Sequence, residues 1–172
     1  AGIIKEHNCS ITVAINDPEA GSRYLMVATV QKCSSFTFRE ILCQPYKRSY
    51  RQALAKFLCG DLMIGRVTKH WYCRDQRVNG MSAGCIDCFK ENNLKVDESE
   101  EHWIFDCVIT KMNRKWFWKH ISEEDAHRCF SRAHPNRLEA LFATKSKETW
   151  AILGEYACKI WCRPCQAWRR HL

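Results

Sequence analysis

CIDCFKENNLKVDESEEHWIFDC, residues 85–107, carries three cysteines and one histidine in the pattern C-x2-C-x13-H-x4-C. Zinc accepts thiolate sulfur and imidazole nitrogen in a tetrahedron, and a C-x2-C turn presents two sulfurs to one ion. Such a turn also aims backbone N–H groups at sulfur. The spacing of His102 and Cys107 suits one turn of helix, which puts both on the same side. The thirteen residues between the two halves, FKENNLKVDESEE, are polar and loop-like, so they close the pair without burying anything. The pattern therefore predicts one Zn2+ held by Cys85, Cys88, His102 and Cys107. Four protein ligands leave no position for water or substrate, so the predicted site is structural. The competing reading is a disulfide with a surface histidine. Cysteines two residues apart more often bind metal than pair with each other outside redox folds.

The remaining cysteines of the twelve are less ordered in sequence. Cys158, Cys162 and Cys165 form a second thiol group near the C-terminus. They would make a second metal site with a fourth ligand from Cys9, Cys33, Cys43, Cys73 or His70, or they would form disulfides. Cys59 and Cys158 fall on apolar helix faces, where a single cysteine usually acts as a small buried hydrophobe. Asn8-Cys9-Ser10 matches an N-glycosylation sequon.

The chain has 172 residues, enough for one domain with its own core. Hydrophobic and aromatic fractions of 46% and 12% place it among globular proteins. No apolar run is long enough to cross a membrane, and no charged n-region with an apolar h-region precedes the fold. The chain begins at Ala1, as a processed or excised product would. An intracellular setting is favoured, with secretion as the alternative if a leader has been removed.

Formal charge is +8, concentrated in two blocks. Residues 39–79 hold nine basic and three acidic side chains, and residues 111–172 hold thirteen and six. Lys and Arg gain by displacing counterions from phosphate, so a polyanion is the expected partner. Within the second block, KMNRKWFWKH (111–120) interleaves cations with indoles. That mixture suits single-stranded nucleic acid, which combines backbone neutralisation with base stacking. The candidate contacts are Lys111, Arg114, Lys115, Trp116 and Trp118, with Lys47, Arg48 and Arg51 of KRSYR as a second patch. Nothing suggests catalysis. No Ser-His-Asp pattern, glycine-rich phosphate loop or two-metal carboxylate set is visible.

Around these motifs, residues 10–31 read as a β-hairpin, with SITVAIN and RYLMVATVQ as arms and Asp17-Pro18 and Gly21 as turn signals. SSFTF (34–38) reads as extended. Past residue 40 the pattern turns helical. SYRQALAKFLCG places Tyr50, Ala53, Leu54, Phe57 and Leu58 on one face before a glycine stop, and DLMIGRVTKHWY suggests a further short helix or turn. Ser122 and Asp125 form a capping box, Arg137 to Phe142 is a short helix, and Ser146 caps the longest helix, which Pro164 is expected to end. The expected fold is α+β and mostly helical: a β-rich segment over residues 1–40, then a zinc-stabilised helical domain over 41–172.

The ordered set YRQALAKFLCGDLMIGRVTKHW, then GCIDCFKENNLKVDESEEHWIFDC, NRKWFWK and LEALFATKSKETWAILGEYACKIW resembles the C-terminal tail of LINE-type (non-LTR) retrotransposon polyproteins. The likeness covers residues 45–162. It implies a zinc knuckle on Cys85, Cys88, His102 and Cys107, and a tail that assists binding of template RNA or target DNA. Two functional expectations result. One is a non-catalytic zinc-binding protein, retrotransposon-derived, that binds RNA or single-stranded DNA. The other is a secreted cysteine-rich effector or interaction protein recognised by a host protein, held by disulfides and independent of zinc.

Overall fold

The computed structural model describes residues 22–59, 85–97, 99–131 and 136–169. Every regular element among them is helical. They are α1 (Ser22–Cys33), α2 (Phe38–Cys43), α3 (Arg48–Leu58), α4 (Ile86–Asn92), α5 (Glu100–Phe105), a 3-10 turn (Val108–Thr110), α6 (Lys111–His120), α7 (Glu123–Phe130), α8 (Arg137–Phe142) and α9 (Lys147–Arg169).

The organising element is α9. Trp150, Leu153, Tyr156, Ala157 and Ile160 recur at helical spacing and are all buried. This stripe packs on α3, whose Ala53, Leu54, Phe57 and Leu58 face it, and on α6 through Phe117. Phe142 of α8 stacks on Trp150 with centroids 5.9 Å apart, and Phe117 stacks on Tyr156 at 4.7 Å. The α9–α3 contact is close because Gly154 has no side chain. A Cβ there would lie 2.5 Å from Pro45 Cγ and 3.3 Å from the Tyr50 carbonyl oxygen.

Helix starts are set by side-chain caps, as the sequence signals require. Ser99, Ser122, Asn136 and Ser146 each accept a backbone N–H three residues on. Thr37 and Glu40 form a full capping box that opens α2 within the stretch expected to be extended. The box expected at Ser122 forms only by half. Ser122 Oγ accepts the Asp125 N–H, but the Asp125 carboxylate turns inward instead of back to Ser122. It accepts hydrogen bonds from Thr144 Oγ1 at 2.7 Å and Thr149 Oγ1 at 2.6 Å, and pairs with Arg128 at 3.0 Å. Asp125 thereby ties α7 to the α8–α9 connection and to the first turn of α9.

Three expectations need correction. The first arm of the hairpin and its turn lie outside the described residues, but the second arm falls within α1, a helix packed on α8 and α3. Its β-branched residues suggested a strand, whereas Val30, buried in the main core, is held by tertiary packing. The long helix does not stop at Pro164 but continues to Arg169. A proline deletes one ladder hydrogen bond, which does not force the following residues out of the helix. Cys59 is exposed because it is the C-cap of α3, one residue beyond the apolar stripe. The segment 61–72 lies outside the described residues. Across the boundary expected at residue 40, Val30 and Ile41 belong to the same core as Phe57 and Trp150.

Candidate metal centre

Cys85, Cys88, His102 and Cys107 converge, and their ligand atoms all lie within 4.8 Å of one another. The three cysteines are 0–1% exposed and His102 is 8% exposed. Cys85 Sγ lies 3.8 Å from Cys107 Sγ, Cys88 Sγ lies 3.9 Å from Cys107 Sγ, and Cys88 Sγ lies 3.3 Å from His102 Nε2. A disulfide would need sulfurs about 2.05 Å apart. A tetrahedron with metal–sulfur bonds of about 2.3 Å has sulfur–sulfur edges of about 3.8 Å. The cluster has the second geometry and is able to hold a metal ion.

Local structure explains the convergence. Cys85 is the N-cap of α4, and its N–H donates to the Val96 carbonyl at 2.9 Å, closing the loop that begins at the αL residue Asn93. Cys88 sits in the first turn of α4, so the C-x2-C pair bends around a helix start, not a free turn. The backbone N–H groups of Cys88 and Val108 act on the sulfurs of Cys85 and Cys88, respectively, in the direction that lowers their pKa. Donors of that kind favour thiolate, the form that binds metal.

His102 lies on α5, but Cys107 does not, contrary to the one-turn expectation. The helix ends at Phe105, and the N–H groups of Asp106 and Cys107 both donate to the His102 carbonyl, at 2.9 and 2.7 Å. This tighter hook brings Cys107 back beneath His102. Part of the polar connector is also helical, since α4 runs on to Asn92.

Without a cation, the site disfavours thiolate. The hydrogen bond with Cys107, then burial, pushes the Cys85 thiol well above its ordinary range, and burial pushes Cys88 up. Both effects oppose negative charge in a confined space. A divalent cation removes that opposition, and ligation would release the thiol protons.

The site is anchored on three sides. Thr110 Oγ1 lies 2.8 Å from the Trp103 carbonyl oxygen, and Arg114 Nη1 donates to the Cys107 carbonyl at 2.9 Å and to Thr110 Oγ1 at 3.1 Å. Tyr156 O–H of α9 donates to the Ile104 carbonyl at 3.1 Å. Arg137 of α8 forks onto Asp106, bonds Glu101 at 3.1 Å and lies over the Phe105 ring. The cysteine–histidine site is thus a satellite of the main core, clamped to α6, α8 and α9.

The other predicted residues are distributed differently. Cys158 is half-buried against the main core; Cys162 and Cys165 fall within α9, but their side chains lie outside the described residues. Lys47, Arg48 and Arg51 are exposed on the first turns of α3. Lys111 and Lys115 are exposed on α6 and are joined by Lys119, forming a ladder at four-residue spacing. Arg114 turns toward the knuckle. Trp116 is half-buried, with Lys159 Nζ 3.1 Å from its centroid and the His120 ring at 4.5 Å. Trp118 packs among Phe105, Phe117 and Phe130.

Comparison with protein-family models, with curated proteins and with solved structures finds no match. The class of site therefore rests on the chain itself: a buried Cys3His cluster inside a helical fold.

Proposed function

We propose that the protein is a zinc-stabilised, non-catalytic module that binds single-stranded nucleic acid, RNA or DNA, through the exposed face of α6. Zinc suits the donor set, since three thiolates and one imidazole at tetrahedral spacing are its common structural ligands. A further support is the composition of the satellite core: among the described residues, Cys85, Cys88 and Cys107 with Val96, Val108 and Ile109 packed around them. Helices of six and seven residues do not persist on propensity, and this apolar cluster is small. Ligation contributes on the order of 10 kcal/mol of folding free energy in isolated zinc modules.

The observation that carries nucleic-acid binding is the Lys111–Lys115–Lys119 ladder, presented by the helix that begins at the knuckle. No acidic side chain lies in the sequence of α6. The order of α3, knuckle, α6 and α9 is also the order implied by the likeness to LINE-type tails, so descent from such an element is part of the proposal. The disulfide-held secreted alternative is the less favoured reading, because among the described residues no disulfide is formed and the Cys85 and Cys107 sulfurs stand 3.8 Å apart.

Fluorescence anisotropy with labelled single-stranded RNA and DNA tests the proposal. Binding should weaken steeply with salt. The triple replacement Lys111→Glu, Lys115→Glu and Lys119→Glu should abolish it, because each lost phosphate contact lowers the salt slope by about one. Binding unchanged by the triple replacement contradicts the assignment to α6.

A further inference from the structure

Trp116 and Trp118, the tryptophans of the helix that carries the lysine ladder, have their rings against protein groups. Lys159 and His120 cover the first, and three phenylalanines surround the second. If a strand lies on this protein, its bases need a different ring. Four large hydrophobic residues are exposed among those described: Tyr46, Leu94, Met112 and Phe130. Tyr46 is the most exposed, at 71%, and is followed directly by Lys47 and Arg48 in the α2–α3 connection.

Its surroundings are organised. Tyr46 meets Tyr50 edge-to-face with centroids 5.5 Å apart. Lys47 Nζ lies 5.4 Å from the Tyr46 centroid and 5.2 Å from that of Tyr50. The ammonium holds the two rings at a defined angle before any ligand arrives, which lowers the ordering cost of binding. Arg48 and Arg51 are exposed on the same helix start.

This patch is also connected to the α6 face. On α9, the helix that packs on both α3 and α6, Glu155 pairs at 2.8 Å with Lys159, whose ammonium lies over Trp116 of α6. α9 thus joins α3, at whose start Tyr46 and Lys47 lie, to α6, which carries the lysine ladder. Cations at both ends are complementary to a continuous phosphate backbone. Glu155 of α9 is already matched by Lys159.

We infer that Tyr46 is the base-stacking platform of this protein, with Lys47, Arg48 and Arg51 holding the adjoining phosphates, and that the strand continues across α9 to the lysine ladder of α6. The inference rests on the nucleic-acid reading proposed above and adds to it the residue that meets a base. Stacking on a tyrosine is sequence-tolerant, because every base offers a π-face.

The test uses the full zinc-loaded chain and a fluorescein-labelled oligouridylate, with dissociation constants measured by anisotropy over a salt series. Tyr46→Ala should weaken binding about tenfold or more, while Tyr46→Phe should stay within about twofold of the unsubstituted protein. The salt slope should be unchanged in Tyr46→Ala, since stacking releases no counterions, and should fall by about one in Lys47→Ala. An abasic substitution series in the oligonucleotide should reduce affinity for the unsubstituted protein but not for Tyr46→Ala. Because Tyr46 is exposed, circular dichroism should be identical for all variants. If the unsubstituted protein binds and Tyr46→Ala binds equally well, the platform is refuted while the α6 assignment stands. If the unsubstituted protein does not bind the oligonucleotide, both fall.

Discussion

Replacing Asp125 by alanine should be among the most damaging single changes in this fold. Its carboxylate is 3% exposed and is held by Thr144, Thr149 and Arg128. Alanine removes two charge-assisted hydrogen bonds at 2.7 and 2.6 Å, each worth about 1.5–3 kcal/mol. Arg128 keeps Glu124 at 2.8 Å through Nη2, while its buried Nη1 loses the ion pair with Asp125. The expected loss is therefore about 3–5 kcal/mol, within the range for breaking a buried charged network. For a chain of this size that lowers Tm by about 6–20 °C. Asp125→Asn retains an oxygen for both threonines but loses the charge and turns its amide N–H groups toward Arg128, so its cost should be smaller than that of alanine, about 1–3 kcal/mol. Urea denaturation at saturating zinc, followed by circular dichroism, measures both. An Asp125→Ala protein within about 1 kcal/mol of the parent would refute the claim that this carboxylate fastens α7 to the start of α9.

Other consequences follow from single contacts. Gly154→Ala should destabilise by about 1–3 kcal/mol despite alanine's better helix propensity, because its Cβ would overlap Pro45; thermal melts check this. Arg114→Met should lower zinc affinity by about tenfold, measured by chelator competition, because the guanidinium that fixes the Cys107 carbonyl is lost. Zinc affinity should fall as pH drops below neutrality. The Cys85 and Cys88 thiols hold their protons more tightly than ordinary cysteine, so each must be deprotonated for ligation, and each proton released contributes up to tenfold per pH unit. Isothermal titration in buffers of different ionisation enthalpy counts those protons, and a pH-independent affinity would refute the thiolate assignment.

The cysteine–histidine set was legible because metal ligands come from a short menu of side chains at short spacings. What the spacing could not give was the hook at Asp106 and Cys107, a backbone feature decided by where α5 stops. The stripes of α3 and α9 were equally legible, since Leu54, Phe57, Trp150 and Tyr156 repeat at helical period. The start of α2 had a readable signal, Thr37 three residues before Glu40, obscured by the β-branched look of its surroundings. The second arm of the expected hairpin lacked a clear apolar stripe, and its helix is held by Val30 packing against a core assembled from distant segments. Arg114 and the two tryptophans of α6 read as surface groups because composition does not reveal direction. Only the fold shows that the arginine reaches a carbonyl of the knuckle and that both indoles are half-buried against protein groups. Tyr46 had no motif to mark it; its exposure and its place over Lys47 emerge from the α2–α3 connection alone.

The central claim is that one zinc ion joins Cys85, Cys88, His102 and Cys107. Native mass spectrometry of the intact chain, before and after chelation, tests it most directly. The account predicts one strongly bound zinc, lost when Cys85 and Cys107 are both replaced by serine, with loss of structure on chelation. A chain that carries no metal, or that links Cys85 to Cys107 through a disulfide, would contradict it.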